Sequence, residues 1–253
     1  MLPPLICAVL FLGLWQVGAT VFGVSDLLLP RPSQIGQALW QDRALLVENA
    51  WITLQEIVIG YLLALTIGFA LGVLLHSSRV IERAVYPWLV VSQAIPTVAI
   101  APIFVLWTGF DIRPKVLVII LVSFFPLVVS TIDGLRAVDP DLVRLLRSLG
   151  ASRVRIFRSA RLPAALPGIF SGMKVAAALS IVGAVFGEWV GASSGLGYLI
   201  LTFNNQTATA EVFAAIAVLA TIGIVLFGLV SVLEHLLLPW YYAARAGERA
   251  PRR

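Results

Sequence analysis

The chain has 253 residues, of which 60% are hydrophobic and only 12% are charged, and its formal net charge is +5. Soluble domains usually carry about a quarter charged residues, so this composition excludes an ordinary water-soluble protein and indicates one that folds in lipid. The single cysteine, Cys7, excludes an intrachain disulfide. The basic residues lie in short loops between apolar runs, so their excess does not indicate a nucleic-acid partner.

Apolar runs follow one another along the chain, and each is long enough to cross a bilayer as a helix. They lie at 4–29, 53–75, 84–107, 115–135, 169–190 and 212–238. The first run resembles a signal peptide in length, but no basic residue precedes it, which favours a retained first span. The sequence therefore predicts an all-α integral membrane protein of six transmembrane helices in one domain.

Proline marks several points in these elements. Between the first two runs, Ser33 is a candidate cap for a short helix over Gln34–Gln41, which we expect along the outer surface. Pro96 and Pro102 in the third run and Pro126 in the fourth predict bends. We interpret these bends as packing kinks rather than as gates.

A basic loop at about 136–167 follows the fourth run. Asp139 and Pro140 suit the N-cap and first position of a helix, so we predict a helix over Pro140–Leu149 that stops at Gly150 in a left-handed conformation. This loop is polar and rich in arginine between two apolar segments, which is typical of a cytoplasmic loop.

A second short helix is predicted in the same loop. Ser152 can cap it, it would run over Arg153–Arg161, and Pro163 and Pro167 would end it before the fifth span. The two short helices carry apolar residues on one side, namely Leu142, Leu145, Leu146, Leu149, Ile156 and Phe157. We predict a compact element that docks into a partner; the alternative is a solvated loop that only fixes topology.

Loop charge sets the orientation. With the N-terminus inside, the inner loops and tail hold 14 of the 18 basic residues. These are Arg79, Arg83, Arg136, Arg144, Arg147, Arg153, Arg155, Arg158, Arg161, Lys174, Arg245, Arg249, Arg252 and Arg253, against Arg31, Arg43, Arg113 and Lys115 outside. The positive-inside rule then predicts that both termini are cytoplasmic.

The cytoplasmic loop also carries a recognisable spacing. Gly150 is followed by Ala151-Ser152 and, thirteen residues after the glycine, by Leu162-Pro163. Together with Leu29-Pro-Arg-Pro-Ser33, Ser92-Gln-Ala-Ile-Pro96, Leu162-Pro-Ala-Ala-Leu-Pro-Gly168, Gly172-Met-Lys174, Gly187-Glu-Trp189 and Ser194-Gly-Leu-Gly197, this pattern covers nearly the whole chain. It resembles the permease subunits of ABC importers, in the nitrate, taurine and aliphatic-sulfonate branch.

That resemblance implies a type I importer permease fold in the bacterial inner membrane, with the first span at about 4–29, a core permease domain at about 50–240 and a coupling loop at about 136–167. It implies a second permease copy, expected as a homodimer, two ATP-binding cassette subunits that use ATP and Mg²⁺, and a periplasmic or lipid-anchored binding protein. This subunit itself would hold no cofactor or metal.

The resemblance assigns contact with the ATPase to the coupling loop. The residues concerned are Arg144, Arg147, Leu149, Gly150, Ala151, Ser152, Leu162 and Pro163. Arg144 departs from the family pattern, which commonly has a glutamate there, so any contact that relies on the acidic group must differ in this chain. Consistent with a partner ATPase, the sequence lacks a G-x-x-x-x-G-K-[ST] phosphate loop.

Polar residues inside the apolar runs are candidates for a solute path. They are Ser92, Gln93, Pro96 and Thr97 in the third run, and Glu188 with Trp189 at the outer end of the fifth. Hydrogen bonding between helices is the alternative for the polar residues of the third run. Glu188 either lines the outer gate, binds a neighbouring helix, or is an interfacial helix end. Gly183, Gly187 and Gly191 predict a close helix-packing face.

Other functions are less well supported by the residues. Glu56 is expected near the membrane interface and His76 at the cytoplasmic edge, and with only His76 and His235 present a histidine metal site is not expected. The spans contain no nucleophile with its base, which argues against an intramembrane enzyme. A non-transport scaffold or signalling subunit remains the alternative. For substrate, the stretches Val138–Asp141, Arg147–Ser152 and Val185–Trp189 most resemble the pyrimidine-precursor type of this permease branch, whose other members transport riboflavin, sulfonates or nitrate.

Overall fold

The computed structural model describes residues 2–248, with side-chain environments from Ile6 to Ala243, and this part of the chain is helical without a strand. The helices are α1 (Leu2–Val21), α2 (Pro32–Gln41), α3 (Arg43–Ser77), α4 (Arg79–Ser92), α5 (Thr97–Thr108), α6 (Ile112–Arg136), α7 (Pro140–Ser148), α8 (Arg153–Ile156), a π-helical turn (Phe157–Arg161), α9 (Leu162–Trp189), α10 (Leu196–Asn205), α11 (Thr209–Leu237) and α12 (Pro239–Glu248). The predicted basic tail residues Arg249, Arg252 and Arg253 lie outside the described residues.

Each predicted apolar run lies mainly in helices, but the first helix ends at Val21 instead of at residue 29, and the runs do not form six equal helices. Four helical segments are long and apolar enough to span a bilayer: Arg43–Ser77, Ile112–Arg136, Arg153–Trp189 and Thr209–Leu237. The third predicted run is broken into α4 and α5, which meet at 97°. In α1, the apolar helix over the residues with described side chains is Ile6–Val21, which is shorter than the four long spans.

Helix α6 lies between α3 and α9, and glycines allow the close approach. A Cβ atom built on Gly60 of α3 would lie 2.6 Å from Cγ2 of Ile119, and one on Gly183 of α9 would lie 2.9 Å from Cα of the same isoleucine. Gly187 faces the Cα of Lys115 in the same way. The prediction of a glycine packing face is therefore confirmed for Gly183 and Gly187. Gly191 follows the end of α9 and lies against the Phe110 ring.

Helices α4 and α5 are the loosely packed part of the fold. Helix α4 has no buried residue, and in α5 only Ala101 is buried. Trp88, Leu106 and Trp107 are each more than 70% exposed in the single chain. This broken pair therefore presents a large uncovered apolar surface beside the packed α3, α6 and α9.

Two local predictions are wrong. Helix α2 begins at Pro32, with Arg31 as the N-cap, so Ser33 lies inside the helix instead of capping it. Proline suits the first helical position because its φ is already helical and no N–H is needed there. The backbone N–H of Arg31 donates to Gln34 Oε1 at 2.8 Å, and that of Ser33 donates to Gln16 Oε1 at 3.1 Å.

The second wrong prediction is that Pro163 and Pro167 end the second short helix of the cytoplasmic loop. The helix instead continues from Arg153 to Trp189. Just before Pro163, the N–H of Leu162 bonds to the carbonyl of Phe157, five residues back, in the π-helical turn. A π turn is wider than an α turn, which gives the proline ring room where it would otherwise meet the preceding carbonyl.

Candidate functional site

The cytoplasmic loop folds into a small body that we call the knob, residues 138–156. Asp139 Oδ1 accepts a hydrogen bond from the N–H of Asp141 at 2.8 Å and caps α7. Ser152 Oγ accepts from the N–H of Arg155 at 3.3 Å and caps α8. Gly150 between them has φ +79°, the left-handed conformation. The predicted caps and the predicted glycine turn are confirmed.

The knob has its own small hydrophobic cluster. Val138, Val143 and Ile156 are buried, with Leu146 and Ala151 packed against them. The remaining predicted apolar residues of α7 face outward, with Leu142 43%, Leu145 55% and Leu149 74% exposed. The three leucines follow one another at helical spacing and form one contiguous apolar stripe on the knob, which makes this stripe a candidate contact surface.

The structure divides the predicted ATPase-coupling residues between two places. Arg144, Arg147, Leu149, Gly150 and Ser152 lie exposed on the knob, with Ala151 half-buried in its cluster. Leu162 and Pro163 are half-buried where α9 begins, beyond the π turn. Arg144 forms an ion pair with Asp141 on the surface of α7. An exposed pair of this kind stabilises little and leaves the guanidinium accessible to a partner.

The break between α4 and α5 brings together the predicted path residues of the third run. Ser92 and Thr97 are half-buried, whereas Gln93 and Pro96 are exposed, and Ser92 Oγ donates to the carbonyl of Leu89 at 2.7 Å. The break has about a dozen helical residues on each side, and by length and composition the bent pair is either a broken span or a re-entrant loop. In both cases, irregular backbone within the membrane is tolerated only where protein or water covers it.

Glu188 lies elsewhere, inside the bundle. Its side chain is 1% exposed, and its carboxylate accepts hydrogen bonds from Thr53 Oγ1 at 2.6 Å and from the N–H groups of Gly197 and Tyr198. These contacts join α9 to α3 and α10. They support the alternative that Glu188 binds a neighbouring helix. Trp189, next to it, is 39% exposed and packs against Phe186.

Two residues that the sequence analysis did not single out complete this arrangement. Asn49 Oδ1 accepts from the N–H of Gly195 at 2.7 Å, and Thr53 Oγ1 accepts from the N–H of Leu196 at 2.8 Å. With Glu188, they satisfy all four free N–H groups at the start of α10. Asn49, Thr53 and Glu56 recur along one face of α3. This stripe of polar residues in an apolar helix is the sequence signal from which Asn49 and Thr53 could have been identified.

A buried ion pair lies in the same end of the bundle. Lys115 Nζ lies 2.7 Å from Glu56 Oε1, and the side chains are 9% and 1% exposed. Glu56 is therefore buried in the protein interior, and Lys115 lies in the first turn of α6 and not in the loop before it. The position of Glu56 near the membrane interface stays a prediction. Each charge is tolerated in the core because the other one neutralises it.

Within the described residues no group of three or more His, Cys, Asp or Glu side chains is placed to hold a metal ion.

The chain matches the family model described as binding-protein-dependent transport system inner membrane component over residues 60–239. It is 38% identical to the formylaminopyrimidine transport permease protein ThiX of Halalkalibacterium halodurans, across 94% of this chain and 96% of that protein.

A second relative and one solved structure extend the comparison. The chain is 33% identical to a putative aliphatic sulfonates transport permease protein, SsuC, of Bacillus subtilis, across 93% of this chain and 86% of that protein. A chain of the MetNI methionine ABC transporter in an inward-facing conformation superposes with a TM-score of 0.64 at 20% identity, covering 79% of this chain and 97% of that chain. At 20% identity, the similarity to the MetNI chain concerns the fold alone.

Proposed function

Because the chain belongs to the family of binding-protein-dependent transport system inner membrane components, we propose that two copies of it form the solute path of an ATP-driven importer. The observation that carries this proposal is the extent of the family match, which includes both the α4–α5 break and the knob. The subunit belongs in the bacterial inner membrane, and ATP hydrolysis is the task of a partner.

We propose six spans with both termini in the cytoplasm. The four long helices and the bent α4–α5 pair would give five membrane-crossing units, and the shorter apolar helix α1 would be the sixth. The 14-to-4 division of basic residues supports the inside placement of the knob and of both termini. In this orientation the start of α10 and the buried cluster around Glu188 lie at the outer end of the bundle.

The knob would dock on the ATPase. Its support is an exposed leucine stripe on a body with its own cluster, held at the end of a continuous helix that runs into the membrane. Because α8, the neck and α9 form one continuous helix, movement of a partner at the knob can be transmitted into α9. Two ATP-binding cassette subunits, which bind ATP and Mg²⁺, would dock beneath a pair of permease subunits.

The solute path would run beside the α4–α5 break. Gln93 is exposed there, and the chain between Gln93 and Pro96 leaves the helix at membrane depth. Lipid cannot satisfy such groups, whereas a second copy or a water-filled path can. Ser92, Thr97 and Trp189 would contribute to the lining, and Glu188 would support the outer end from within the bundle.

For the solute, we propose a small pyrimidine precursor delivered by a binding protein outside the membrane. The similarity to the formylaminopyrimidine transport permease, which extends over 94% of this chain, supports this class. The test is uptake into proteoliposomes that contain this chain, the ATPase and the binding protein encoded beside it. Labelled formylaminopyrimidine should enter in an ATP-dependent manner, and riboflavin, taurine and nitrate serve as comparisons.

The uptake assay also separates transport from the alternative of a scaffold or signalling subunit. Transport requires that an ATPase co-purifies with the chain and that ATP drives accumulation of one of the four solutes. Accumulation of riboflavin, taurine or nitrate alone would support the proposed importer function but contradict the proposed solute. A chain that binds no ATPase and supports no uptake would be a scaffold.

A further inference from the structure

The knob joins the membrane bundle through the π-helical turn Phe157–Arg161, which we call the neck. The buried cluster of the knob, around Val143 and Ile156, is separate from the cluster of Leu135, Ala165 and Ile169 at the inner end of the bundle. Phe157 packs against the second of these clusters. The neck therefore lies between two packed bodies, and π turns in helices are frequent at functional sites.

One polar contact fixes the end of the neck to a different helix. Nη1 of Arg161 lies 2.7 Å from Nε2 of His76, in the last turn of α3, and both residues are half-buried. A guanidinium group only donates hydrogen bonds, so Nε2 of His76 must accept this one. The imidazole that makes the contact is therefore neutral, with its proton on Nδ1.

The charges around His76 are mostly positive. The positive charges of Arg161 in the neck and of Arg136 at the end of α6 both disfavour a proton on the imidazole. Arg136 is itself paired with Glu82 of α4. A proton on His76 would add a cation next to Arg161 and would remove the acceptor, so the contact cannot survive protonation.

We infer that His76 is a positioning residue for the knob: in its neutral form it holds Arg161, and with it the neck, against the inner end of α3, and a proton on the imidazole releases the neck. The effect on ATP-driven transport rests on the docking role proposed for the knob. The position of the knob itself does not depend on that role and can be measured on the permease alone.

The experiment measures the distance between spin labels on the knob and on α3 in the reconstituted permease. Exposed positions are available at Val154 on the knob and Leu74 on α3, so Val154→Cys and Leu74→Cys carry the labels after Cys7→Ser. Distances are compared between pH 8 and the lowest pH at which the permease stays folded, because burial, Arg161 and Arg136 all disfavour a proton on this imidazole. The variants are His76→Gln, which keeps an acceptor but does not titrate, and His76→Lys, which is a permanent cation.

In the wild-type permease, acidification should shift the ratio of held to released knob by about tenfold, the factor expected when a hydrogen bond to a charged group is lost. His76→Gln should keep the held distance throughout, and His76→Lys should show the released distance throughout. His235→Gln is the matched control, because His235 is the only other histidine of the chain, and it should retain the pH dependence.

A held distance in His76→Lys at high pH, or a pH-dependent shift that persists in His76→Gln, would overturn the inference. ATP hydrolysis by the complete complex provides the second readout, with a pH profile that should flatten in His76→Gln but not in His235→Gln. If no ATPase assembles with the chain, the proposed function fails, and the distances alone still decide the role of His76.

Discussion

Thr53 donates a hydrogen bond from Oγ1 to Oε1 of Glu188 at 2.6 Å, although 135 positions separate the two residues in the chain. The same hydroxyl oxygen accepts the N–H of Leu196 at 2.8 Å. One side chain of α3 therefore contacts both the end of α9 and the start of α10. Gly195 has φ +111° and passes so close to the Glu188 carboxylate that any side chain there would collide with it. The three helices are consequently fixed together at this end of the bundle.

Replacement of Glu188 should loosen α10. Glu188→Ala removes the acceptor for Thr53 and for two backbone N–H groups, and each buried donor left without a partner costs about 1–3 kcal/mol. We expect a lower unfolding temperature in detergent and a smaller loss in Glu188→Gln, which keeps an acceptor oxygen. Leu199 of α10 is buried, so in the Cys7→Ser background Leu199→Cys should become reactive to a maleimide only when Glu188 is replaced.

Glu48→Ala is the matched control, because Glu48 is an exposed carboxylate on the same α3 that Glu188 contacts, and it should change neither measurement. A Glu188→Ala protein with wild-type unfolding and a protected Leu199→Cys would contradict the anchoring role. If that protein were stable but transported at a changed rate, the prediction that Glu188 forms part of the path or its gate would be supported. Normal stability and normal transport would make it an interfacial helix end.

The buried pair of Lys115 and Glu56 should behave as a unit. Lys115→Met leaves the Glu56 carboxyl group without its partner in the core, where it must either remain charged or take up a proton, and we expect a loss of about 3–5 kcal/mol in the free energy of unfolding. The double variant Lys115→Met/Glu56→Gln should recover most of this loss. Unfolding in detergent of Lys115→Met, Glu56→Gln and the double variant completes a double-mutant cycle, which gives the coupling between the two side chains.

Arg113→Met is the control for loss of a basic residue nearby. The Arg113 side chain is 72% exposed and pairs with an exposed Asp111, so its removal should change the free energy of unfolding by about 0–1 kcal/mol. Equal effects of Lys115→Met and Arg113→Met would contradict the buried pair.

The parts of the knob that were predictable from sequence are local. Asp139 and Ser152 bond to N–H groups two and three residues away, and Gly150 needs only its own backbone freedom. The corresponding sequence signals lie in the same short stretch, which is why the caps were predicted. The role of the predicted coupling and path residues in transport remains a prediction.

The anchoring of α10 was not predictable in the same way. Asn49 and Thr53 bond to backbone groups 146 and 143 positions later in the chain, and backbone donors have no sequence signature. The size of the break after Ser92 was not predictable either, because the apolar composition continues through it, and the prolines of this run predict a bend but not its angle of 97°. At Pro163 the rule that proline ends a helix failed because the π turn before it changes the hydrogen-bond register.

The orientation in the membrane can be tested with two exposed positions. Ser152 lies on the knob and Asn205 at the end of α10, so Ser152→Cys and Asn205→Cys in a Cys7→Ser background report on the two sides. A membrane-impermeant maleimide added to intact cells should label Asn205→Cys only. Ser152→Cys should react after the membrane is opened. Labelling of both positions from outside would contradict the cytoplasmic placement of the knob.

Substitution of Gly150 tests whether the left-handed backbone turn of the knob matters for docking, because a side chain at this position would not collide with a neighbour. The φ of Gly150 is +79°, and a Cβ atom built there meets no other atom within 4 Å. Gly150→Val should therefore act through the left-handed backbone, which costs a side-chain-bearing residue about 1–2 kcal/mol. The strain should shift α7 against α8, so that the leucine stripe and Arg144 no longer match the partner surface. Membrane insertion should persist, while ATP hydrolysis that depends on transport should fall in the assembled complex.

Gly150→Asn is the matched control, because asparagine tolerates the left-handed conformation far better than valine does. It should retain most of the coupled hydrolysis, and the order Gly, Asn, Val should hold for both hydrolysis and uptake. Because the site is open, a difference between Asn and Val reports on backbone preference and not on side-chain volume. Wild-type coupling in Gly150→Val would mean that the ATPase does not depend on the geometry of the turn, and the docking surface would then have to lie elsewhere on the cytoplasmic side.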